Sequence, residues 1–141
     1  NTPWLGDYWS SQSKTLWIHP GSGSSKKNAS LSFFENRAID WLEKDTENRI
    51  IFSFGESDHE CRENLLCSSI AEQKKVQFIS GLSLSAFKKS LEQEAGRYLG
   101  NDSGPSHLAA MLGIPTEVLF ISTNPEVWRP LGPRVKLLRV E

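Results

Sequence analysis

The sequence predicts an α/β fold in which a parallel sheet is covered by helices on both faces. Short apolar runs, rich in aromatic and branched residues, alternate with amphipathic segments from residue 15 onward. The loops between them are short, and strict alternation with short loops is typical of parallel strands joined by helical crossovers. Because ligands bind at the carboxyl ends of the strands in such a sheet, the loops that follow the strands are the expected functional sites.

The first half of the chain predicts a strand, a helix, a second strand and a second helix, over residues 15–19, 31–44, 49–55 and about 57–73. Leu31, Phe34 and Ala38 recur at helical spacing in the first helix. Ser57 and Glu60 have the spacing of a capping box, which predicts the start of the second helix.

The second half predicts a strand, a helix, a strand, a helix and two strands, over residues 76–80, 83–95, 97–100, 104–113, 116–122 and 135–140. Leu84, Phe87 and Leu91 lie on one side of the helix over 83–95. Pro105 suits the first turn of the next helix, and Gly113 suits its C-terminal cap.

Length and composition limit the class of protein. The chain has 141 residues, 38% hydrophobic and 23% charged, with a net charge of -1. This suits about one domain with a real core. There is no basic field for nucleic acid and no apolar run near the roughly 20 residues of a membrane span. We therefore expect no nucleic-acid partner and no membrane span. We predict a linker or trimmed end over 1–14 and one domain over 15–141.

The two cysteines, Cys61 and Cys67, predict no special chemistry. Their spacing matches neither a zinc knuckle nor a redox pair. We expect two unpaired thiols in a reducing compartment.

The loop after the first strand, "HPGSGSSKKN", indicates an anion site. Gly21 and Gly23 let the backbone come close to a ligand, and free amides there can bind an anion. The serines add hydroxyl donors, and Lys26 adds a point charge that suits phosphate. Ser25 stands where a Walker motif needs glycine. A flexible loop with solvated lysines is the alternative.

The loop after the fourth strand, "GNDSGPSHLAA", indicates a second anion site. Asp102, Ser103 and Gly104 lie at the start of a helix, where unpaired amides and the helix dipole attract a diphosphate. His107 follows one turn later. A plain helix cap and a structural histidine are the alternatives.

Acidic residues follow the second strand in "GESDHE". Glu56, Asp58 and Glu60 suit the hydroxyls of a ribose or another sugar, with helix capping as the alternative. Two anion sites and a carboxylate at one sheet edge together indicate a nucleoside diphosphate bound through its phosphates and its sugar.

The motifs "HPGSGSSKK", "YLGNDSGPSHLAAMLGIPTEVLF" and "NPEVWRPLGPRV" resemble the C-terminal half of the family-nine glycosyltransferases, the lipopolysaccharide heptosyltransferases. The resemblance spans about residues 15 to 135. It implies one half of a GT-B glycosyltransferase: a Rossmann-like domain, over 15–141, that binds a nucleotide-sugar donor.

The resemblance also implies residue roles. Donor phosphates are expected to contact Ser22 and Lys26, beside the Gly21 backbone. The diphosphate and sugar are expected to contact Asp102, Ser103, Gly104 and His107. The nucleoside is expected near Asp58, Glu60 and Leu82, with Leu82 beside the adenine.

The implied reaction is an inverting transfer from a donor such as ADP-heptose to the lipopolysaccharide core. Lys26 is the expected catalytic residue of this chain, because it stabilises the departing nucleoside diphosphate. No metal and no separate cofactor are expected. The general base and the site for the lipid-linked acceptor belong to an N-terminal domain that this sequence lacks, so this chain alone is expected to be inactive. The expected location is cytoplasmic, with peripheral contact to the inner membrane left open.

The sequence departs from the family pattern at Asn28, Glu117, Ile121 and Asn124. Two alternatives are also left open. One is a nucleotide-sugar-binding module without catalysis, and the other is a different GT-B enzyme such as a sugar-nucleotide epimerase.

Overall fold

Strands and helices alternate along the chain as the apolar pattern predicts. The structure, a computed structural model, describes residues 13–21, 30–101, 103–120 and 135–139. Its strands are β1 (Thr15–His19), β2 (Arg49–Phe54), β3 (Val76–Ser80), β4 (Arg97–Asn101), β5 (Thr116–Phe120) and β6 (Val135–Arg139). Its α-helices are α1 (Leu31–Lys44), α2 (His59–Leu66), α3 (Leu84–Glu94) and α4 (Gly104–Met111), and a 3-10 helix covers Ser69–Glu72.

In the described part of the chain the six strands form one sheet in the order β3-β2-β1-β4-β5-β6, with all neighbours parallel. The predicted parallel sheet is therefore confirmed. Strand order reverses between β1 and β4, which are neighbours in space although β2 and β3 separate them in sequence. A reversal of this kind opens a crevice at the carboxyl ends of the two strands, and ligands commonly bind there.

Helices pack on both faces of the sheet, and each face has its own apolar core. α1, α2 and the 3-10 helix cover one face, the α1 face, whose fully or nearly fully buried residues include Leu16, Ile18, Phe34, Phe52, Leu65, Ile70, Leu99 and Leu119. α3 and α4 cover the other, the α3 face, whose buried residues include Trp17, Ile51, Phe87, Leu91, Tyr98, Ala109 and Ile114. Alternate residues of β1 thus point to opposite faces, as a strand requires.

The second helix is where the predicted elements differ most from the structure. α2 begins at His59 and ends at Leu66, so the helix predicted over 57–73 is too long. The predicted capping box of Ser57 and Glu60 is wrong. Asp58 occupies the N-cap position but makes no side-chain cap hydrogen bond, because its carboxylate accepts the N–H of Gly55 instead.

Two simpler expectations hold. Cys61 and Cys67 are both free thiols. Gly113 follows the end of α4 with a φ of +83°, the left-handed backbone that a glycine cap provides. None of the described helices has the length and apolar character to cross a membrane.

The amino edge of the sheet, where the strands begin, is lined by charged residues. A broad cleft of about 990 Å³ there is bordered by residues of both signs. Lys14 Nζ lies 3.5 Å from Asp45 Oδ2, and both side chains are about 40% exposed. Arg37 of α1 donates to both carboxylate oxygens of Glu117 at 2.5 Å. This ion pair explains how the otherwise apolar β5 accommodates Glu117.

Candidate functional site

The loops at the carboxyl ends of the strands meet at one edge of the sheet, here called the carboxyl edge. Of the predicted site residues, the structure describes Gly21, Asp58, Glu60, Leu82, Ser103, Gly104 and His107. Ser22, Lys26 and Asp102 lie outside the described residues, as do Asn28, Ile121 and Asn124. The described ones all lie in loops or first helical turns that follow a strand, where a parallel sheet places its ligand contacts.

A side-chain hydrogen bond joins the ends of β1 and β4. Asn101 is fully buried and donates its Nδ2–H to the carbonyl of Pro20 over 2.6 Å. The Ser106 hydroxyl of α4 donates to the carbonyl of Asn101 over 2.5 Å. The two candidate anion-binding segments are the loop that follows β1, here called the β1 loop, and the first turn of α4. They therefore start side by side.

Asp58 is buried in the loop between β2 and α2. Its side chain is only 6% exposed, and its Oδ2 accepts the N–H of Gly55 over 2.8 Å. The N–H of Asp58 in turn donates to the carbonyl of Gly55 over 3.1 Å. The resemblance places Asp58 near the nucleoside, and these contacts give its carboxylate partners within the protein.

His19 connects the end of β1 to this turn. Its Nε2 lies 3.4 Å from Asp58 Oδ2, and its Nδ1 lies 2.7 Å from the Ser53 hydroxyl of β2. Ser53 also accepts the indole N–H of Trp17 over 2.8 Å. The His19 ring packs edge-on against Phe87 of α3 at a centroid distance of 5.9 Å. Polar contacts and packing thus fix this imidazole on several sides.

Gly21, the first residue of the glycine-rich stretch, passes directly over Asp58. A Cβ added at position 21 would lie 2.0 Å from Asp58 Cγ, far inside van der Waals contact. Any larger residue would displace either the carboxylate or the loop backbone. A glycine at position 21 is therefore needed for the contact with Asp58 inside the protein, as well as for the predicted close approach to a ligand.

The start of α4 is open to solvent. Ser103 is at the N-cap, but its side chain does not cap the helix, because the hydroxyl donates to the Asn101 carbonyl at 3.3 Å. Pro105 occupies the first turn as predicted, and a Cβ added at Gly104 would meet nothing within 4 Å. His107 lies partly exposed one turn into the helix. This end carries the positive pole of the helix dipole and suits an anionic ligand.

An apolar cavity of about 240 Å³ opens beside the start of α4. It is lined by His19, Phe54, Gly55, Ile79, Ser80, Leu82, Leu84, Phe87 and Pro105. Leu82 and Leu84 are 40% and 77% exposed. Concave sites with apolar walls and a few polar groups are typical of small-molecule binding. Glu60 is exposed on α2 and is not part of the wall.

Two other titratable groups near this edge are structural. Burial, with a smaller contribution from the carboxylates of Asp58 and Glu60, raises the pKa of the Cys61 thiol to about 12. Burial likewise raises the pKa of Tyr98, whose hydroxyl oxygen lies 3.3 Å from the Ser106 hydroxyl oxygen. Both groups stay neutral at physiological pH, so neither is a nucleophile. Within the described ranges, no group of three acidic, histidine or cysteine side chains could hold a metal ion.

A family model identifies the chain. The model of glycosyltransferase family 9 (heptosyltransferase) matches residues 13–141. The chain belongs to glycosyltransferase family 9. Comparison with curated protein sequences found no match.

Solved structures of the same family have the same fold. A family 9 glycosyltransferase from Veillonella parvula DSM 2008 superposes with a TM-score of 0.76 at 17% identity, covering 96% of this chain and 39% of that one. The E. coli ADP-heptose lps heptosyltransferase II superposes at 0.77 and 19% identity, covering 96% and 43%. E. coli heptosyltransferase WaaC, solved with ADP, superposes at 0.75 and 19%, covering 96% and 42%. This family 9 chain thus spans about two fifths of each relative, and the predicted GT-B half is confirmed as a fold.

The site residues predicted from the sequence do not include His19, Ser53 or Asn101. A polar residue that ends an otherwise apolar strand, as His19 and Asn101 do, is the signal that could have drawn attention to them. Ser53 has a weaker sequence signal, because a serine within an apolar strand is common. Their contacts depend on which strands are neighbours, and one sequence does not state that order.

Proposed function

We propose that this chain is the donor-binding half of a glycosyltransferase and that it binds a nucleoside diphosphate sugar at the carboxyl edge of the sheet. One observation carries the proposal: the start of the β1 loop, the open start of α4 and the apolar cavity are adjacent. An anion site next to a slot for a flat ring matches the chemistry of a nucleotide. Family membership supports glycosyl transfer as the reaction of the whole protein.

The donor that fits best is an ADP-sugar, with ADP-heptose as the first candidate. In this arrangement the adenine enters the cavity beside Leu82, and the diphosphate lies between the β1 loop and the first turn of α4. Ser103 and Gly104 border the diphosphate, with His107 beside it. Two solved relatives are heptosyltransferases, one of them solved with ADP, and this supports the choice of nucleotide.

In the proposed reaction the acceptor hydroxyl attacks the anomeric carbon, and the nucleoside diphosphate departs. Lys26 and the dipole of α4 stabilise the negative charge of the leaving group. Ser22 and Asp102 contact the phosphates and the sugar. The general base belongs to the other half of the protein. That half also binds the acceptor, a lipid-linked oligosaccharide of the lipopolysaccharide core. The protein would work in the cytoplasm.

Calorimetric titration of this chain with ADP and with UDP tests the proposal. We expect ADP to bind and UDP to bind at least about tenfold more weakly, because a purine fills more of an apolar slot. No heat with either nucleotide would contradict the proposal and favour a module that has lost its ligand.

A matched pair of variants tests the location of the base. Leu82 and Ile39 are 40% and 38% exposed, but only Leu82 borders the cavity. Leu82→Asp should weaken ADP binding about tenfold, since it places a carboxylate in an apolar wall near a diphosphate. Ile39→Asp on α1 should leave the affinity unchanged. Equal affinities for the two variants would remove the base from this cavity.

A further inference from the structure

We propose that His19 is a positioning residue for the donor site: with Ser53 it holds the Asp58 carboxylate against Gly21 and so fixes the start of the β1 loop for a ligand. The inference deepens the proposed function and rests on it for its binding consequence. Its structural part concerns the protein without nucleotide and can be tested separately.

The hydrogen-bond chemistry selects one tautomer of His19. The Trp17 indole can only donate, and it donates to Ser53 Oγ over 2.8 Å. The Ser53 hydroxyl proton is then available for His19 Nδ1 at 2.7 Å. A carboxylate can only accept, so the contact of Nε2 with Asp58 Oδ2 at 3.4 Å is attractive only when Nε2 carries a proton. Of the two tautomers of the uncharged ring, only the one with its proton on Nε2 makes both contacts favourable.

This tautomer directs the chain of contacts toward the β1 loop. The Trp17 indole donates to the Ser53 hydroxyl, the Ser53 hydroxyl donates to His19 Nδ1, and His19 Nε2 donates to Asp58. Asp58 receives the N–H of Gly55 as well, and Gly21 lies against the carboxyl group with no room for a Cβ. The carboxylate therefore connects the loop between β2 and α2 with Gly21, the first residue of the glycine-rich stretch. His19 determines where that carboxylate sits.

Burial makes the arrangement specific. The side chains of His19 and Asp58 are 5% and 6% exposed, so water cannot easily replace a lost partner, and an unsatisfied group there is costly. Asn101 restrains Pro20 from the β4 side. A loop that is restrained before its ligand arrives loses less entropy on binding, which raises affinity.

Two substitutions at position 19 distinguish the contribution of Nδ1 from that of Nε2. His19→Gln places an amide near the position of Nε2. This amide can still donate to Asp58, but the contact with Ser53 is lost. His19→Asn places an amide near the position of Nδ1, which keeps the Ser53 contact but loses Asp58. Both remove the ring that packs on Phe87, so a purely structural role predicts similar losses for the two.

The binding experiment measures ADP affinity by calorimetry and folding by thermal melting. We expect His19→Gln to bind ADP within about threefold of the unchanged chain and His19→Asn to bind at least about tenfold more weakly. Asp58→Asn should also weaken binding, and the double variant His19→Asn with Asp58→Asn should lose little more than either alone. Equal losses for His19→Gln and His19→Asn, or no loss in either, would overturn the proposal.

The nucleotide-free experiment keeps the two proposals distinguishable. Ring nitrogen NMR shifts of His19 should report the Nε2–H tautomer, and the Nδ1–H tautomer would overturn the inference. Hydrogen exchange at the Gly55 amide should be about tenfold faster in His19→Asn than in His19→Gln. Asp45→Asn, which alters a carboxylate at the other edge, should leave the Gly55 amide unchanged. If ADP does not bind the unchanged chain, the proposed function fails, and these measurements still decide whether His19 positions the loop.

Discussion

The two edges of the sheet hold carboxylates in opposite ways. At the carboxyl edge Asp58 is 6% exposed and contacts the buried His19. At the amino edge Asp45 is 40% exposed, and its basic partner Lys14 is 42% exposed. Each carboxylate also accepts a nearby backbone N–H, from Gly55 over 2.8 Å and from Glu47 over 2.9 Å.

The difference between them is burial, and it shows how one interaction type serves two purposes. An exposed pair in water contributes little, because solvent and salt compete for both partners. A buried carboxylate depends on its few protein partners and holds them in place. The buried carboxylate lies at the edge that we propose to bind a nucleotide, whereas Asp45 at the opposite edge lies on the surface.

The largest contrast is expected between the two thiols at the ends of α2. Cys61 lies near the carboxyl edge with a pKa raised from 9.0 to about 12, which lowers its thiolate fraction near pH 8 by about three orders of magnitude. Cys67 is exposed. Iodoacetamide should therefore modify Cys67 at least about a hundredfold faster than Cys61, measured by mass spectrometry over time.

The control for the thiol contrast is the unfolded chain, where both cysteines should react alike. Rapid alkylation of Cys61 in the folded chain would show that this part of the carboxyl edge is open to solvent. Because the folded pKa is the higher one, the contribution of Cys61 to stability is complete below pH 9.0. It declines as the pH rises toward 12.

The next largest effect is expected from a methyl group added at either edge. Gly21→Ala meets Asp58 Cγ at 2.0 Å, and Gly96→Ala meets the Ser13 carbonyl oxygen at 2.4 Å. Each should lower the free energy of unfolding by about 1–3 kcal/mol, measured by denaturant titration.

The two alanine variants should differ in nucleotide binding. Gly21→Ala disturbs the start of the β1 loop and should weaken ADP binding about tenfold, whereas Gly96→Ala, at the amino edge, should leave it unchanged. Equal binding by both variants would mean that the contact of Gly21 with Asp58 has no influence on the ligand.

A smaller effect is expected for the half-buried ion pair near the amino edge. Glu117→Gln removes the charge that Arg37 faces while keeping the shape of the side chain. With both partners about a third exposed, the loss should be about 1 kcal/mol in the free energy of unfolding. High salt should shrink the difference, and a loss that salt does not change would indicate packing rather than charge.

The smallest effect is expected at the exposed carboxylate. The N–H of Glu47 is the main cause of the lowered pKa of Asp45, with Lys14 contributing. Asp45→Asn should leave the melting temperature at pH 7 nearly unchanged. Because the folded pKa is the lower one, any small difference should decline as the pH falls below the ordinary value of 3.8 and vanish once the pH is below the lowered pKa of Asp45. A difference that persists at low pH would contradict an electrostatic origin.

The elements of the fold follow from the sequence because apolar periodicity is a local property. β1 and α1 lie where they were predicted, residue for residue. The start of α2 could not be predicted in the same way. Its acidic N-terminus has the spacing of a capping box, but Asp58 uses its carboxylate on Gly55 and His19, and those contacts exist only in the folded chain.

The candidate site likewise includes contacts that exist only in the folded chain. The parallel sheet rule placed Gly21, Leu82 and the start of α4 at one edge from sequence. The contact of His19 with Ser53 depends on register: Ile18 pairs with Phe52, so the next residue of each strand faces the same side. A single sequence predicts strands, but it does not predict which residues of two strands lie side by side.

The position of β1 in the centre of the sheet has a consequence for synthesis. Its partner on one side, β2, follows directly, but its other partner is β4, where Leu16 pairs with Arg97. As the chain leaves the ribosome, β1, β2 and β3 can associate first, with one side of β1 still lacking its hydrogen-bonding neighbour. Contacts between distant parts of a chain form slowly. An open strand edge invites pairing with other chains, so the nascent protein should depend most on chaperones during the interval before residue 101 emerges.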